Sequence, residues 1–321
     1  MSGTVFALGG RSQAGPTQRP APPRAAVGRR RRALRRSLTG WAFAGPATVV
    51  VVGLAIFPAL WALVISFTKW NGISPAVNIG LRNYERIADD PELAAAAQHT
   101  VLLTVLFVPG VVVLGMLVAI ALSQKIRLIS FYRTCIFVPY VASAAATGIL
   151  ATYVFNPQFG AANEILRRLG LPTQQFLEGR SQALVVIVLI ALWGEIGFAA
   201  VVYLAALQDL PQELVEAAVC DGAGRWRVFR HVTLPHLRPV TVFTTVWETI
   251  IALQLFDQIY TTTRGGPLGS TQTIVHYVYA LAFQTQRFGY GAAVAYLLFT
   301  VTLLLTAGMI WHSRRRGSEA Y

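Results

Sequence analysis

Long apolar stretches alternate with shorter polar segments along the 321-residue chain. Six of these stretches reach the length of about 20 residues that a helix needs to cross a bilayer. They lie near residues 41–67, 98–122, 132–155, 183–207, 238–261 and 289–311. The pattern predicts an all-α, polytopic membrane protein with six transmembrane helices.

The two ends of the chain differ from this pattern. Residues 1–40 are rich in Gly, Pro, Ser and Arg and show no periodic apolar face, so we expect a disordered tail. The apolar run from Trp41 to Phe67 is too long for a cleaved signal peptide and predicts an uncleaved anchor helix. We therefore expect a membrane domain over residues 41–312 and a short tail over 313–321.

Arginine and lysine are unevenly divided between the two sides of these six spans. One side, which includes both tails, holds 19 basic residues, and the other side holds 8. Because cytoplasmic segments carry the excess of Lys and Arg, the count predicts that the N- and C-termini are both cytoplasmic. It also places the segment 208–239 on the cytoplasmic side.

The segments predicted to lie outside contain their own helix signals. Residues 80–100 favour short surface helices before the second span, and residues 161–169 favour an amphipathic helix that stops at Gly170. Residues 264–273 read as a Gly/Pro turn with a Ser/Thr cap before another apolar helix. These segments would form a platform for another protein or only cap the transmembrane helices.

Composition supports the membrane assignment and excludes several other classes. Hydrophobic residues make up 55% and charged residues 13% of the chain, whereas about a quarter is charged in soluble domains. The net charge of +13 comes from short basic blocks beside apolar runs, so it does not predict nucleic-acid binding. Cys135 and Cys220 lie far apart, and His231 and His236 have no partner at a ligand spacing, so we predict no disulfide framework and no metal site.

The sequence contains no recognisable motif for catalysis or nucleotide binding. A P-loop requires Gly-x-x-x-x-Gly-Lys-Ser/Thr, and neither Lys69 nor Lys125 stands in that context. The patterns Gly-x-Ser-x-Gly and His-Glu-x-x-His do not occur either. We predict that the chain is not an enzyme, has no catalytic residues and holds no cofactor of its own.

Three acidic residues fall inside predicted spans, namely Glu195, Glu248 and Asp257. A carboxylate in hydrocarbon costs about 2.5–3.5 kcal/mol on insertion scales, so each should face protein or water. Glu248 shares one helical face with three threonines, Thr241, Thr244 and Thr245.

Two glycines, Gly194 and Gly197, flank Glu195 and would loosen the helix or admit a close neighbour. The polar positions around them would line a path for a solute, or they would form hydrogen bonds that hold helices together. The residues alone leave both interpretations open.

The charged segment 209–239 predicts a helix–turn–helix. The helix "QELVEAAVC" follows a proline at its first turn, "DGAG" breaks it, and "RWRVFRHV" resumes a helix that Leu234–Pro235 is expected to end. Trp226 and Phe229, interleaved with arginines, favour docking to another protein. A helix that lies in the membrane interface and binds anionic lipid is the alternative.

These residues carry a specific resemblance. "EAAVCDGAG" followed by Leu234–Pro235 looks like the EAA loop of membrane permeases in binding-protein-dependent ABC importers. Residues 131–166 and 253–296, the latter with FD-x-I-Y, GGP and FGYG elements, are similar to the branch that transports maltose, other oligosaccharides or glycerol 3-phosphate. Residues 79–87 match this branch too, and the resemblance covers roughly residues 41 to 312.

The resemblance implies the type I ABC importer permease fold in a bacterial plasma membrane. Such a permease pairs with a second, homologous permease, and a dimer of ABC ATPase subunits binds ATP and Mg. An extracellular solute-binding protein, often a lipoprotein, would dock on the outer loops. Membrane lipid surrounds the chain, and no nucleic acid is implied.

The resemblance also implies roles for individual residues. Glu216 would offer a charge to a basic partner on the ATPase, and Gly222 would allow the bend of the loop. The implied coupling loop comprises Glu216, Ala217, Ala218, Asp221, Gly222, Trp226, Phe229, Arg230, Leu234 and Pro235. In maltose-type permeases the sugar contacts lie on the spans before and after this loop. The corresponding substrate path here comprises Trp193, Glu195, Phe198, Thr244, Glu248, Ala252 and Asp257.

We therefore expect a permease subunit that moves a sugar or oligosaccharide inward by alternating access, with energy from partner ATPases. A tryptophan beside carboxylates suits a sugar, whose apolar face stacks on the ring while its hydroxyls bond to the acids. The main alternative is a permease for glycerol 3-phosphate or an amino-sugar, although a phosphate should need a basic residue in the path. Further alternatives are an ion-coupled secondary transporter with Glu195 as a proton site, and a membrane-bound lipid or glycan transferase.

Overall fold

The computed structural model describes residues 44–124 and 127–317, except for the side chains of 316 and 317. A boundary between Leu60 and Trp61 divides the chain into two units, and the helix core lies within the second unit. The predicted tail over 1–40 and the end of the predicted tail over 313–321 lie outside the described residues, so these domain limits stay predictions.

Helices dominate the described residues. In chain order the elements are α1 (Ala44–Ser66), β1 (Thr68–Lys69), β2 (Val77–Asn78), α2 (Arg82–Ala88), α3 (Pro91–Leu122), α4 (Ile129–Val141), α5 (Ala144–Val154), α6 (Ala161–Arg168), α7 (Ala183–Gln208), α8 (Gln212–Cys220), α9 (Arg225–Val228), α10 (Leu234–His236), α11 (Arg238–Leu253), α12 (Asp257–Thr262), α13 (Ile274–Tyr279) and α14 (Phe288–Gly317). Three π turns occur at Val52–Ile56, Phe229–Thr233 and Ala280–Gln284. The two short strands pair antiparallel, with Thr68 opposite Asn78.

The helices reproduce the predicted spans. Five helical segments among the described residues are long and apolar enough to cross a membrane: α1, α3, α7, α11 with α12, and α14. The consecutive helices α4 and α5 pass the same test together, which gives up to six spans. The prediction of an all-α, six-span membrane protein is confirmed.

The third span is bent, whereas the sequence predicted one helix over residues 132–155. The axes of α4 and α5 meet at 99°. Pro139 lies near the end of α4 and removes a backbone donor, and Ala142 and Ser143 then adopt extended conformations with ψ of 143° and 133°. Because two consecutive residues leave the helical region, the helix stops there and restarts in a new direction.

The second span starts earlier than predicted. Residues 91–97 were expected to form a separate surface helix, but they are the first turns of α3. Asp90 caps this helix, since its Oδ1 accepts hydrogen bonds from the N–H groups of Glu92 and Leu93 at 3.0 and 3.1 Å. Pro91 occupies the first helical position, where its missing N–H is not needed.

Two other predicted helix ends are confirmed. The amphipathic helix α6 runs over Ala161–Arg168, and Gly170 follows it with a positive φ of 70°. The helix α13 begins after Thr273, whose side chain accepts a hydrogen bond from the N–H of His276.

The helix core is centred on α7. Helix α7 packs along α3, and both helices contact α11. Helix α4 also packs on α7. A Cβ atom on Gly115 of α3 would lie 2.5 Å from the Cβ of Ala199, so a glycine is what lets these two helices approach closely. The largest apolar cluster among these helices contains Leu103, Phe107, Val111, Ile187, Val188 and Ala252.

A polar network joins the beginnings of α3 and α14 to α13. The second carboxylate oxygen of Asp90, Oδ2, accepts hydrogen bonds from the hydroxyls of Tyr277 and Tyr290 at 2.7 and 2.5 Å. The guanidinium of Arg86 lies 4.9 Å from the centre of the Tyr290 ring. Burial alone would raise the pKa of Asp90, but the two tyrosine and two backbone hydrogen bonds outweigh it and hold the pKa below its ordinary value.

Candidate functional site

The segment 209–239 forms the predicted helix–turn–helix. Helix α8 carries Glu216 and Ala217 on its exposed surface, and Ala218 is half-buried. Asp221 and Gly222 follow at the exposed turn. The charge and the small side chains of the implied coupling loop are therefore available to a partner.

Two glycines of the turn have different backbone requirements. Gly222 has a φ of 78°, the left-handed region that non-glycine residues rarely adopt. Gly224 has a φ of −68° and a ψ of 164° at the N-cap of α9, a conformation open to any residue. The bend of the loop therefore depends on Gly222.

The second helix of this loop presents an aromatic surface. The Trp226 side chain is 70% exposed, and its ring lies 5.5 Å from that of the half-buried Phe229. Arg230 and Leu234 are exposed beyond them, and Pro235 is half-buried. An exposed tryptophan supported by a second ring is a common feature of protein-docking surfaces.

The expected helix end at Leu234–Pro235 is wrong. The backbone passes from α9 through the π turn Phe229–Thr233 into α10, and only Leu237 separates α10 from α11. Proline at the start of α10 needs no donor, and the wider π turn before it accommodates the altered hydrogen-bond pattern. The loop is therefore helical almost without interruption from Arg225 to Leu253.

The predicted path residues separate into three groups by exposure. Thr244, Glu248 and Ala252 are fully buried on the face of α11 that packs on α3 and α7. Glu195 and Phe198 of α7 are half-buried. Trp193 and Asp257 are exposed.

Glu195 and Glu248, the acid pair, come together between α7 and α11. Their charges are close enough to interact. Both carboxylate oxygens of Glu248 and the Oε2 atom of Glu195 are buried without a hydrogen-bond partner. Asp257 does not join them, because it lies on α12, beyond the helix break at Gln254.

Further unsatisfied hydroxyls lie in the same seam between α7 and α11. Tyr203 and Thr244 are fully buried and lie near each other, but neither hydroxyl oxygen completes a hydrogen bond. Buried polar groups are normally paired, and unpaired ones mark places where water, an ion or a ligand is bound. The contact region between α7 and α11 therefore contains buried oxygen atoms that have no hydrogen-bond partner among the described residues.

A stack of aromatic rings borders the acid pair. Tyr140 of α4 stacks on Phe198 of α7 at 5.2 Å, and Phe198 lies 5.7 Å from Trp247 of α11. We call these three residues the aromatic column. The Tyr140 hydroxyl lies close enough to Glu195 and Glu248 to interact with their charges. The column therefore forms one wall beside the acid pair.

Sequence reasoning missed Tyr140, Tyr203 and Trp247. Trp247 directly precedes Glu248, and adjacent residues do not share a helical face, so the pattern around Glu248 did not select it. Tyr203 lies two helical turns after Glu195, and this i+8 spacing along α7 was the available signal. Tyr140 comes from a different span, and no local pattern connects it with the acid pair.

The two glycines beside Glu195 differ in how much space surrounds them. A Cβ atom on Gly197 would lie 2.5 Å from the carbonyl oxygen of Ile136 in α4, whereas nothing lies within 4 Å of the corresponding position on Gly194. Gly197→Ala should push α4 away from α7 and destabilise the fold by about 1–3 kcal/mol. The matched variant Gly194→Ala should be neutral or slightly stabilising, because alanine favours the helix.

Thermal unfolding of the purified protein in detergent, followed by size-exclusion chromatography, measures both variants. Equal melting temperatures for Gly197→Ala and Gly194→Ala would show that the close contact between α4 and α7 does not limit stability.

Among residues 44–124 and 127–317, no group of three or more His, Cys, Asp or Glu side chains is arranged to hold a metal ion. Cys135 and Cys220 are both free and exposed.

Comparisons with known proteins agree with this architecture. The family model described as "Binding-protein-dependent transport system inner membrane component" matches residues 111–317. The lactose transport system permease protein LacF of Rhizobium radiobacter is 34% identical over 87% of this chain and 95% of its own length. The sn-glycerol-3-phosphate transport system permease protein UgpA of Agrobacterium fabrum is 33% identical over 82% of this chain and 90% of its own.

The fold is also found in a solved structure. A chain in the crystal structure of a bacterial ABC transporter that imports the acidic polysaccharide alginate superposes with a TM-score of 0.80, at 22% identity. The match covers 89% of this chain and 99% of that one. This similarity confirms the predicted type I permease fold. The chain belongs to the family of inner membrane components of binding-protein-dependent transport systems, and it is a multi-pass membrane protein of that family.

Proposed function

We propose that this chain forms, with a second permease, the membrane path of an ATP-driven importer for a sugar or oligosaccharide. The acid pair beside the aromatic column carries the proposal, because an aromatic face and hydrogen-bonding carboxyls are what a saccharide ring requires. A relative supports the substrate class, since LacF belongs to a lactose transport system. Family membership favours this function over an ion-coupled transporter or a membrane transferase.

Both termini are proposed to lie in the cytoplasm, on the basis of the excess of arginine on that side. In this orientation α8 and the turn at Gly222 face the cytoplasm, where they would dock on an ATPase subunit. ATP and Mg would be bound by a dimer of that subunit. The opposite side, with α2, α6 and α13, would receive the solute-binding protein.

Transport would proceed by alternating access. Closure of the ATPase dimer on ATP would displace the docked loop, and the helical connection from α9 to α11 would transmit this displacement to the acid pair. The path would then open outward and accept sugar from the binding protein. Hydrolysis of ATP would return it to the inward-open state.

Glycerol 3-phosphate is the second candidate, because the relative UgpA belongs to a system for that compound. A phosphate needs cationic partners, and α7 contains no Lys, Arg or His, while α11 contains only Arg238 at its first residue. The acid pair would repel a phosphate. The described path therefore supports the sugar over the phosphate.

Uptake into proteoliposomes tests the proposal. The tagged chain is purified with its native partners, reconstituted, and supplied with its binding protein, MgATP and a panel of labelled compounds that includes lactose, cellobiose and glycerol 3-phosphate. We expect saccharide accumulation that requires ATP and stops with vanadate. Accumulation driven by an ion gradient without ATP, or of glycerol 3-phosphate alone, would contradict the proposed function.

A further inference from the structure

Among residues 44–124 and 127–317, no basic side chain forms an ion pair with the acid pair. Glu248 is fully enclosed with two unpaired carboxylate oxygens, and Oε2 of Glu195 is also buried and unpaired. The ion pairs found in the described part of the chain involve only Glu164, with Arg167 and Arg168. Two like charges held together in a low-dielectric region repel each other, so this arrangement requires something positive or a proton to complete it.

The neighbouring helices do not supply that charge. Arg238 begins α11 and is about 15 Å from Glu248 along the helix axis, at 1.5 Å per residue. Arg133 of α4 points elsewhere, since its guanidinium donates a long, 3.4 Å hydrogen bond to the carbonyl of Leu122. His99 of α3 is engaged with the carbonyl oxygen of Gln272. The basic side chains of α3, α4 and α11 are therefore distant or engaged.

The aromatic column adds a second attraction for a cation. The faces of Tyr140, Phe198 and Trp247 carry negative electrostatic potential, and organic ammonium groups bind to such faces. A bound ammonium group favours the ionised form of a nearby carboxyl, and an ionised carboxylate accepts hydrogen bonds but donates none, so it pairs best with a group that only donates. An ammonium group has three donors and no acceptor, whereas a sugar hydroxyl is both donor and acceptor.

We propose that the transported saccharide carries a cationic amino group, which the acid pair and the aromatic column bind. This inference rests on the proposed function and narrows its substrate class to amino-sugars with a free amine. Glu195 is half-exposed and makes the first contact with the ammonium group. Glu248 is enclosed in this conformation, and it reaches the substrate when α7 and α11 separate during the transport cycle.

Two probes that differ only in charge test the inference. Glucosamine oligosaccharides carry free amines, and N-acetylglucosamine oligosaccharides of the same length are neutral. Uptake of each is measured in proteoliposomes that contain the complete transporter, its binding protein and MgATP. We expect the wild type to take up both saccharides, with at least a tenfold preference for the amine.

Variants of the same side-chain shape then show whether Glu195 and Glu248 bind the amino group. Glu195→Gln and Glu248→Gln keep the side-chain shape and remove the charge, so each should lower the ratio of amine to acetylated uptake at least tenfold. Glu92→Gln, at an exposed position in the first turn of α3, serves as the matched control and should leave the ratio unchanged. The same binding protein is present in every sample, so its own preference cancels when the ratios are compared.

The outcomes separate this inference from the proposed function. The amine inference is overturned if the uptake ratio is unchanged in both Glu195→Gln and Glu248→Gln. It is also overturned if the wild type takes up the neutral saccharide but not the one with free amines. Either result leaves the proposed sugar import standing. Failure of the wild type to take up any saccharide with ATP overturns both. Size-exclusion profiles confirm that each variant is assembled, and Glu195→Gln, at a half-exposed position, provides the test if Glu248→Gln does not assemble.

Discussion

A valine at position 222 is expected to abolish uptake without removing the chain from the membrane. Gly222 has a φ of 78° at the turn between α8 and α9, and a β-branched residue is strongly disfavoured in that region. The turn would have to change its backbone, and Glu216 and Trp226 on either side of it would lose their relative placement. Because the turn lies outside the spans, insertion should be unaffected.

The control uses the same substitution two residues later. Gly224→Val places valine in an extended backbone with open space around the Cβ position, so uptake should remain near that of the wild type. ATP-dependent uptake and co-purification of the ATPase subunit measure the two variants side by side. Normal uptake by Gly222→Val, with the ATPase bound, would exclude this turn from energy coupling.

Replacement of Asp90 by alanine is expected to give the largest loss of stability outside the spans. The carboxylate accepts four hydrogen bonds, two that cap α3 and two from Tyr277 and Tyr290. Loss of a helix cap costs about 1 kcal/mol, and each buried hydroxyl left without its charged acceptor costs about 1–3 kcal/mol. We expect a total of about 3–7 kcal/mol, measured as a lower melting temperature in detergent.

Two further variants separate the contribution of the tyrosine hydroxyls to stability from that of the helix cap. Tyr277→Phe and Tyr290→Phe each remove one donor and leave the cap, so each should be milder than Asp90→Ala. If Asp90→Ala lowered the melting temperature no more than the loss of one tyrosine hydroxyl does, the hydrogen bonds of Asp90 would not act as one network.

The same network predicts a dependence on pH. The pKa of Asp90 is lowered in the folded chain from an ordinary value of 3.8, so the stabilisation is fully present above that value. It is lost as the pH falls through the lower, folded pKa. The difference in melting temperature between the wild type and Asp90→Asn should therefore stay constant from neutral pH down to about pH 5 and shrink only below pH 3.8.

Local signals accounted for most of the secondary structure. Long apolar runs predicted the spans, Gly170 and Thr273 marked helix limits, and the "DGAG" turn interrupted the loop where expected. These features depend on hydrophobicity, caps and backbone freedom, which act over a few residues. For that reason one sequence was sufficient to predict them.

Features that depend on distant contacts were not predictable. The 99° bend between α4 and α5 follows a proline that other helices tolerate, and the helix through Pro235 depends on a π turn with no sequence signature. The grouping of Tyr140 with Phe198 and Trp247 joins three different spans. The sequence indicated which side chains carry chemistry, and the packing determined which of them meet.

The junction at Leu237 has a mechanical consequence. Leu237 is fully buried, and the neighbouring His236 ring contacts the carbonyl oxygen of Ala206, at the end of α7, at 3.1 Å. The nearly continuous helix from Arg225 to Leu253 is therefore held against the end of α7 at about two fifths of its length. A force on Trp226 would rotate this helix about the contact at His236 and Leu237, so the part that carries Glu248 would move opposite to the loop. The position of this contact, rather than the length of the loop, would fix how far the acid pair opens per turnover.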